Sequence, residues 1–278
     1  MFQILLTPAA GKRLIGKATA KLIFESAAIR DGKVAVIAGT TNAYVAEELL
    51  QMLGQAEDFS RRRFFRGITM GNQRDTDEAG RLAGDREFFG DVIIENGRFT
   101  AGQTIDDAIS GFGAGDIIVK GANCVNRSAG QAGILIGHPQ GGTIMKILPA
   151  VIGRRVRLLL PVGLEKRIDT DINRITELLN APDSSGYRIM PVTGEIITEI
   201  EAVKLLYGLE ARLVAAGGVS GAEGAIWLAI EGSDMISDSA SAELRALNSE
   251  PPFKVQALQL PRRPLAFGRA RNSAPLSA

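Results

Sequence analysis

Three short stretches of this 278-residue chain gather the residue types that hold an anion. Gly39-Thr40-Thr41-Asn42 follows the apolar run 34–38 and precedes a segment, 43–53, with apolar residues at helical spacing, so hydroxyls and small residues fall where a strand becomes a helix. The first N–H groups of a helix have no internal acceptor, and with Thr41 or Asn42 as N-cap this loop offers donors to a phosphate. Lys120-Gly121-Ala122-Asn123 ends a second apolar run, 116–120. There Lys120 is a candidate catalytic cation, Gly121 permits close approach, and Asn123 supplies a neutral donor or acceptor. Gly141-Gly142-Thr143 is a third such loop, with Thr143 as N-cap of a helix beginning at Ile144. Glu165 and Lys166 follow a strand at 156–160 and either orient ligand groups or pair between neighbouring elements. His138 is the sole histidine; before a proline in a loop its role is structural more readily than acid–base.

The elements that must position these loops can be read in order. Leu14, Ile15, Ala18, Leu22 and Ile23 recur every three or four residues and predict a helix over 9–28, which Asp31-Gly32 turns into the strand at 34–38. Arg61, Arg62, Arg63 and Arg66 interleave with Phe64 and Phe65, either as a solvated turn whose phenylalanines enter the core or with one arginine on an anionic ligand. A strand is expected at 67–70, and a hairpin at 91–99 around Asn96-Gly97. Gly111-Phe112-Gly113-Ala114-Gly115 has the glycines of a dinucleotide loop, but a strand follows where that loop needs a helix, so no nicotinamide site is assigned. With a further strand at 134–137, the alternation predicts an α/β domain over 1–180: three layers around a mainly parallel sheet. The turn cluster 181–186 then reads as a boundary. Beyond it, strand, helix, two strands, helix and strand give the βαββαβ order of a ferredoxin-like α+β domain over 187–260, followed by a tail at 261–278. In an open α/β sheet ligands lie at the carboxyl ends of the strands, so the strands ending near Gly39 and Lys120 are expected to face one crevice.

Composition narrows the partners. With 32 basic and 31 acidic side chains there is no global charge to recruit nucleic acid or a membrane surface. One cysteine, Cys124, excludes an intrachain disulfide and a cysteine-rich metal site, and no cofactor is called for. The opening MFQILL is too short for an export signal and no run has membrane-spanning length, so a cytoplasmic protein is expected. Self-association is expected as well, because Phe64, Phe65, Phe88 and Phe89 lie in segments that the pattern does not wholly bury.

The opening run of helix, Asp-Gly turn, strand, Gly-Thr-Thr loop and helix resembles the first unit of a superfamily that contains glucosamine-6-phosphate deaminases, ribose-5-phosphate isomerases, CoA transferases and the sugar-phosphate-sensing domains of DeoR-type regulators. The resemblance extends over about 9–177, with the first unit its specific part. It implies that Gly39 to Asn42 hold phosphate. Lys120-Gly121-Ala122-Asn123 is similar to the Lys-Gly-Gly-Gly loop of the isomerases, whose lysine contacts substrate and whose chains also carry a ferredoxin-like subdomain. The isomerases' catalytic glutamate has no counterpart between Cys124 and Gly133, and their Gly-Ala-Asp-x-x-Asp arrangement is not reproduced by Asp116 or by Asp106 and Asp107. Gly163-Leu164-Glu165-Lys166 is similar to a segment of lactate-utilisation-type domains of the same superfamily. Glu95-Asn96-Gly97 resembles the Glu-Asn-Gly of class I CoA transferases, which implies Glu95 as a nucleophile toward a thioester. Three functions follow: binding, and as an open question transformation, of a small phosphorylated metabolite; CoA ester chemistry on Glu95; or ligand sensing without catalysis.

Overall fold

The computed structural model describes residues 1–65, 90–232 and 234–254. Its elements are β1 (Phe2–Leu6), α1 (Pro8–Phe24), α2 (Ala28–Asp31), β2 (Lys33–Val36), α3 (Thr40–Met52), β3 (Val92–Glu95), β4 (Arg98–Thr100), α4 (Ile105–Ala108), β5 (Ile117–Val119), β6 (Cys124–Asn126), β7 (Gln131–Ile136), α5 (Gly142–Leu148), β8 (Arg157–Pro161), α6 (Ile172–Leu179), β9 (Arg188–Val192), β10 (Glu195–Ile197), α7 (Glu199–Tyr207), β11 (Glu210–Ala216), β12 (Ile226–Glu231) and α8 (Asp234–Ala246).

A six-stranded sheet in the order β10-β8-β5-β2-β3-β4 organises them, with β10, β8, β5 and β2 parallel and the β3–β4 hairpin antiparallel. Successive residues of its inner strands divide between two cores, as the period of two demands when both faces are covered. Val34, Val36, Ile117, Val119 and Leu159 join a core with α1, α3 and α7, whereas Ala35, Ile118, Leu158 and Leu160 join a second with Phe112, Ile144 and Ile147. The fold is therefore mixed α/β around a mainly parallel sheet, with two small antiparallel sheets, β1-β12-β11 and β6-β7-β9, at its sides. Among the described residues no helix is long and apolar enough to cross a membrane.

α1 is started by Thr7, whose hydroxyl accepts the Ala10 N–H at 3.2 Å, and by Pro8 in the first turn. It crosses α3 closely at Gly16: a Cβ there would lie 2.7 Å from Tyr44 Cβ and 3.0 Å from the Tyr44 carbonyl carbon. The Tyr44 ring is flanked by the Arg13 and Arg61 guanidiniums, 4.7 and 4.6 Å from its centroid. Those guanidiniums are held by Glu47 and Glu250, and Arg13 by Glu48 as well. Arg61 thus ties α3 to the segment that carries Glu250. Phe64 and Phe65 are buried, Phe64 against Phe59 and Phe65 against Phe253, so these two give no reason for self-association.

Several expectations are corrected. Among the described residues of 187–260, the strands do not form one self-contained ferredoxin-like sheet. β9 pairs with β7, β10 joins β8 in the central sheet, and the β11–β12 hairpin takes β1 as its third strand. Element order alone does not choose partners, and the apolar faces of these strands found closer ones. Glu195–Ile197, directly before α7, is a strand that the expected order did not contain. The strand expected at 134–137 is β7, in a side sheet. The strand expected at 67–70, Arg66, Phe88, Phe89, residues 255–260 of the expected second domain, and the tail lie outside the described residues.

Candidate functional site

The parallel strands end on one edge, and the backbone carries the ladder past each strand: Ile37 N–H donates to Val119 O at 2.9 Å, Lys120 N–H to Leu159 O at 2.9 Å, and Val162 N–H to Ile197 O at 3.0 Å. Loops 37–42, 120–123, 162–166 and 198–199 thus line up in the order of the strands.

At the first of these, Gly39 is the N-cap of α3, so the helix starts earlier than expected and Thr40, Thr41 and Asn42 form its first turn. No side chain caps it, which leaves first-turn N–H groups without an internal acceptor. Asn42 is buried. Its amide donates to Ile37 O at 2.7 Å and to Val119 O at 3.2 Å, tying the β2 and β5 ends into one floor. Its Oδ1, which faces Gly121, and the buried Thr41 Oγ1 have no hydrogen-bond partner among the described residues. The entry to this turn is fixed by Asp91, fully buried, whose carboxylate accepts Ala38 N–H and Ile105 N–H, each at 2.9 Å.

At the second loop Lys120 Nζ lies 3.4 Å from Gly121 O. It does not pair with Asp116, whose carboxylate accepts the Lys33 and Gly113 N–H groups at the other end of β5. The Asn123 carbonyl is already used, accepting Leu135 N–H at 3.0 Å as β7 returns beside it. Gly141 and Gly142 follow β7, both at positive φ; α5 starts at Gly142, so Thr143 is inside the helix and is not its cap. α5 runs on without a break into a π-helix at Pro149–Gly153.

At the β8 and β10 ends Glu165 and Lys166, which the sequence singles out, join two groups that it did not, Lys12 and Glu199, in a buried ionisable set. Glu199, in the first turn of α7, is 1% exposed and accepts Leu164 N–H at 2.9 Å. Lys12 Nζ approaches Glu165 Oε1 to 3.0 Å, yet among the described residues neither Glu165 oxygen receives a hydrogen bond. Lys166 donates to Ala122 O at 3.1 Å, which joins this set to the β5 loop. Glycines make the room: a Cβ on Gly11 would overlap the Glu199 carboxylate, and one on Gly163 the Glu165 carboxylate. Burial pushes the Glu199 carboxyl well above its usual range, and the Glu165 charge adds to this. Burial pulls Lys166 down, against the opposing pull of Glu165. A signal for Glu199 was present, because Thr198 and Glu201 form the capping box that places it in the first turn directly after a strand.

Glu199 carries a pH prediction. Its unfolded pKa is near the ordinary 4.5 and its folded pKa is raised, so the fold keeps a proton that the unfolded chain releases. Its stabilising contribution is complete below about 4.5 and is lost as pH rises through the raised value. Glu199→Gln does not titrate. Urea midpoints should therefore show wild type losing ground to E199Q between pH 5 and pH 8; parallel profiles would mean that the carboxyl titrates normally.

Glu95 is elsewhere. It is exposed at the amino-end side of β2, opposite Lys33, and pairs with Lys33 Nζ at 2.7 Å in front of the Asn96-Gly97 turn. His138 Nδ1 accepts Gln140 N–H at 3.0 Å. Among the described residues no three His, Cys, Asp or Glu side chains are grouped to hold a metal. Next to the charged set, at the ends of β8 and β10, opens a cleft of about 570 Å³ between β6, residues 164–169, Ile200 and the β11 edge. Compared with protein-family models, curated proteins and solved structures, the chain finds no match.

Proposed function

We propose that the protein binds a small phosphorylated metabolite where the β2 and β5 loops meet. The observation that carries this reading is the first turn of α3: uncapped N–H groups beside two buried polar atoms, Thr41 Oγ1 and Asn42 Oδ1, that have no partner among the described residues. Unsatisfied buried polar groups are costly, and a helix start favours negative charge. In this reading Gly39, Thr40 and Thr41 hold the phosphate, Lys120 compensates its charge, and Gly121 lets the ligand approach the backbone. Glu165 and Lys166 stand at the next strand end to orient the remainder of the molecule, and Glu165, with two oxygens lacking donors, is the group placed to accept a proton from it. The position of Glu95, across the sheet and paired with Lys33, gives no support to the CoA transferase reading.

The test is a thermal-shift series with inorganic phosphate, sugar phosphates and CoA. Phosphate and sugar phosphates should raise the melting temperature of the wild type. Lys120→Ala should weaken binding about ten- to a hundredfold, the worth of a charge-assisted contact of about 1.5 to 3 kcal/mol, without unfolding the protein. Thr41→Val should weaken it by a smaller factor. Phosphate protection equal in all three proteins would place the anion elsewhere. Product analysis then separates an enzyme from a sensor.

A further inference from the structure

We infer that the cleft at the ends of β8 and β10 is a second binding site, for an organic anion that joins an oxyanion head to an apolar body. Its floor is apolar, made by Leu164, Ile168, Ile200 and Leu213, and three arginines, Arg127, Arg167 and Arg212, stand around it with one acidic residue, Asp169. The guanidiniums are not equivalent. Arg127 is held by Glu201 at 2.9 Å and Arg212 by Glu231 at 2.8 Å, so both charges are met by carboxylates. Arg167 instead donates to a backbone carbonyl, Leu164 O, at 3.0 Å, and among the described residues no carboxylate pairs with it. Its charge therefore remains for an incoming anion, and its planar fork suits a carboxylate or phosphate equally.

Size and shape favour a small molecule. A volume of about 570 Å³ falls in the range of metabolite pockets, and an apolar floor with a few polar groups at the rim is their usual lining. Inorganic phosphate alone would leave the floor against water. The site is distinct from the one proposed above: the first turn of α3 follows β2, and two strands of the sheet, β5 and β8, lie between β2 and β10.

The two heads are separated by fluorescence titration of the full chain with anilinonaphthalene sulfonate, an aromatic anion, and by its displacement. One dye per chain should bind. Octanoate or octyl phosphate should displace it, whichever displaces better naming the head, while inorganic phosphate and octylamine should not. Arg167→Ala should bind the dye at least about tenfold more weakly, and Arg167→Glu more weakly still, with phosphate protection in thermal shift unchanged in both. Arg167 is exposed, so both variants should retain the wild-type melting temperature. Dye binding by R167A and R167E equal to wild type, or displacement by octylamine as effective as by octanoate, would overturn the assignment. Loss of the phosphate response in Lys120→Ala with dye binding intact leaves this site standing, so the two proposals fail separately.

Discussion

Asp91→Ala should be among the most damaging single substitutions in the chain, at a cost of about 3 to 5 kcal/mol, because it strips the acceptor from two buried N–H groups at once. Ala38 and Ile105 both donate to this carboxylate, one oxygen each, and its own N–H donates to Gln103 O at 2.8 Å. Against a typical total stability of about 5 to 15 kcal/mol, that loss removes a large fraction of the fold's margin. Asp91→Asn keeps one acceptor and turns the other position into a donor facing a donor, so its cost should be intermediate. Urea denaturation of the three proteins is the measurement. If D91A came within about 1 kcal/mol of wild type, the Ala38 and Ile105 amides would have to find other acceptors, and Asp91 would not fix the α3 entry.

The second large effect is expected at Gly16. A side chain here meets the Cβ and carbonyl carbon of Tyr44, and backbone cannot swing away as a long side chain can. Gly16→Val should force α1 and α3 apart and cost about 2 to 3 kcal/mol or more, whereas alanine at the same position costs less because its higher helix propensity offsets part of the overlap. Calorimetry decides between this and a tolerant contact: a valine variant that melts with the wild type would mean that the helices separate without penalty. Tyr44 sits between Arg13 and Arg61, so the strain should also loosen the tie to Glu250.

How far the sequence anticipates this structure depends on the distance over which each element is specified. The β2 strand, its small-residue loop and α3 are local: a run of apolar residues must be buried on both faces, and glycine ends it. Their positions shift by one to three residues, since Gly39 rather than Thr41 or Asn42 caps the helix. β5 and β8 are legible for the same reason. β1 escapes because its partner, β12, is supplied from the far end of the chain, and an alternation of five residues carries no mark of so distant a pairing. β6 escapes because Cys-Val-Asn is no apolar run, unlike the Ile-Ile-Val of the equally short β5. The C-terminal half shows the opposite failure: its strands and helices occur nearly in the expected order, yet order cannot say that β9 would turn to β7 or β10 to β8.

The site divides similarly. The proximity of the Asn42 and Lys120 loops follows from neighbouring parallel strands, and the structure brings Asn42 against Val119 and Gly121. The partners of Glu165 were out of reach, because Lys12 comes from α1 and Glu199 from the turn after β10. What the sequence does hold is Gly11 in the first turn of the α1 run, and a glycine inside a helix points to something packed closely against it.

The pairing of β1 with β12 also sets an order of events during synthesis. Phe2–Leu6 leaves the ribosome more than two hundred residues before Ile226–Glu231, an interval of roughly ten to forty seconds at about 5 to 20 residues per second. Asn248 comes later still, and its side chain closes the corner by accepting Thr7 N–H and donating to Leu5 O. Through that interval the first strand waits as an apolar edge beside a nascent chain that already contains β2, β5 and β8. A translation product stopped before residue 226 would keep that edge open, which marks interrupted chains of this protein for chaperone capture or strand-to-strand aggregation.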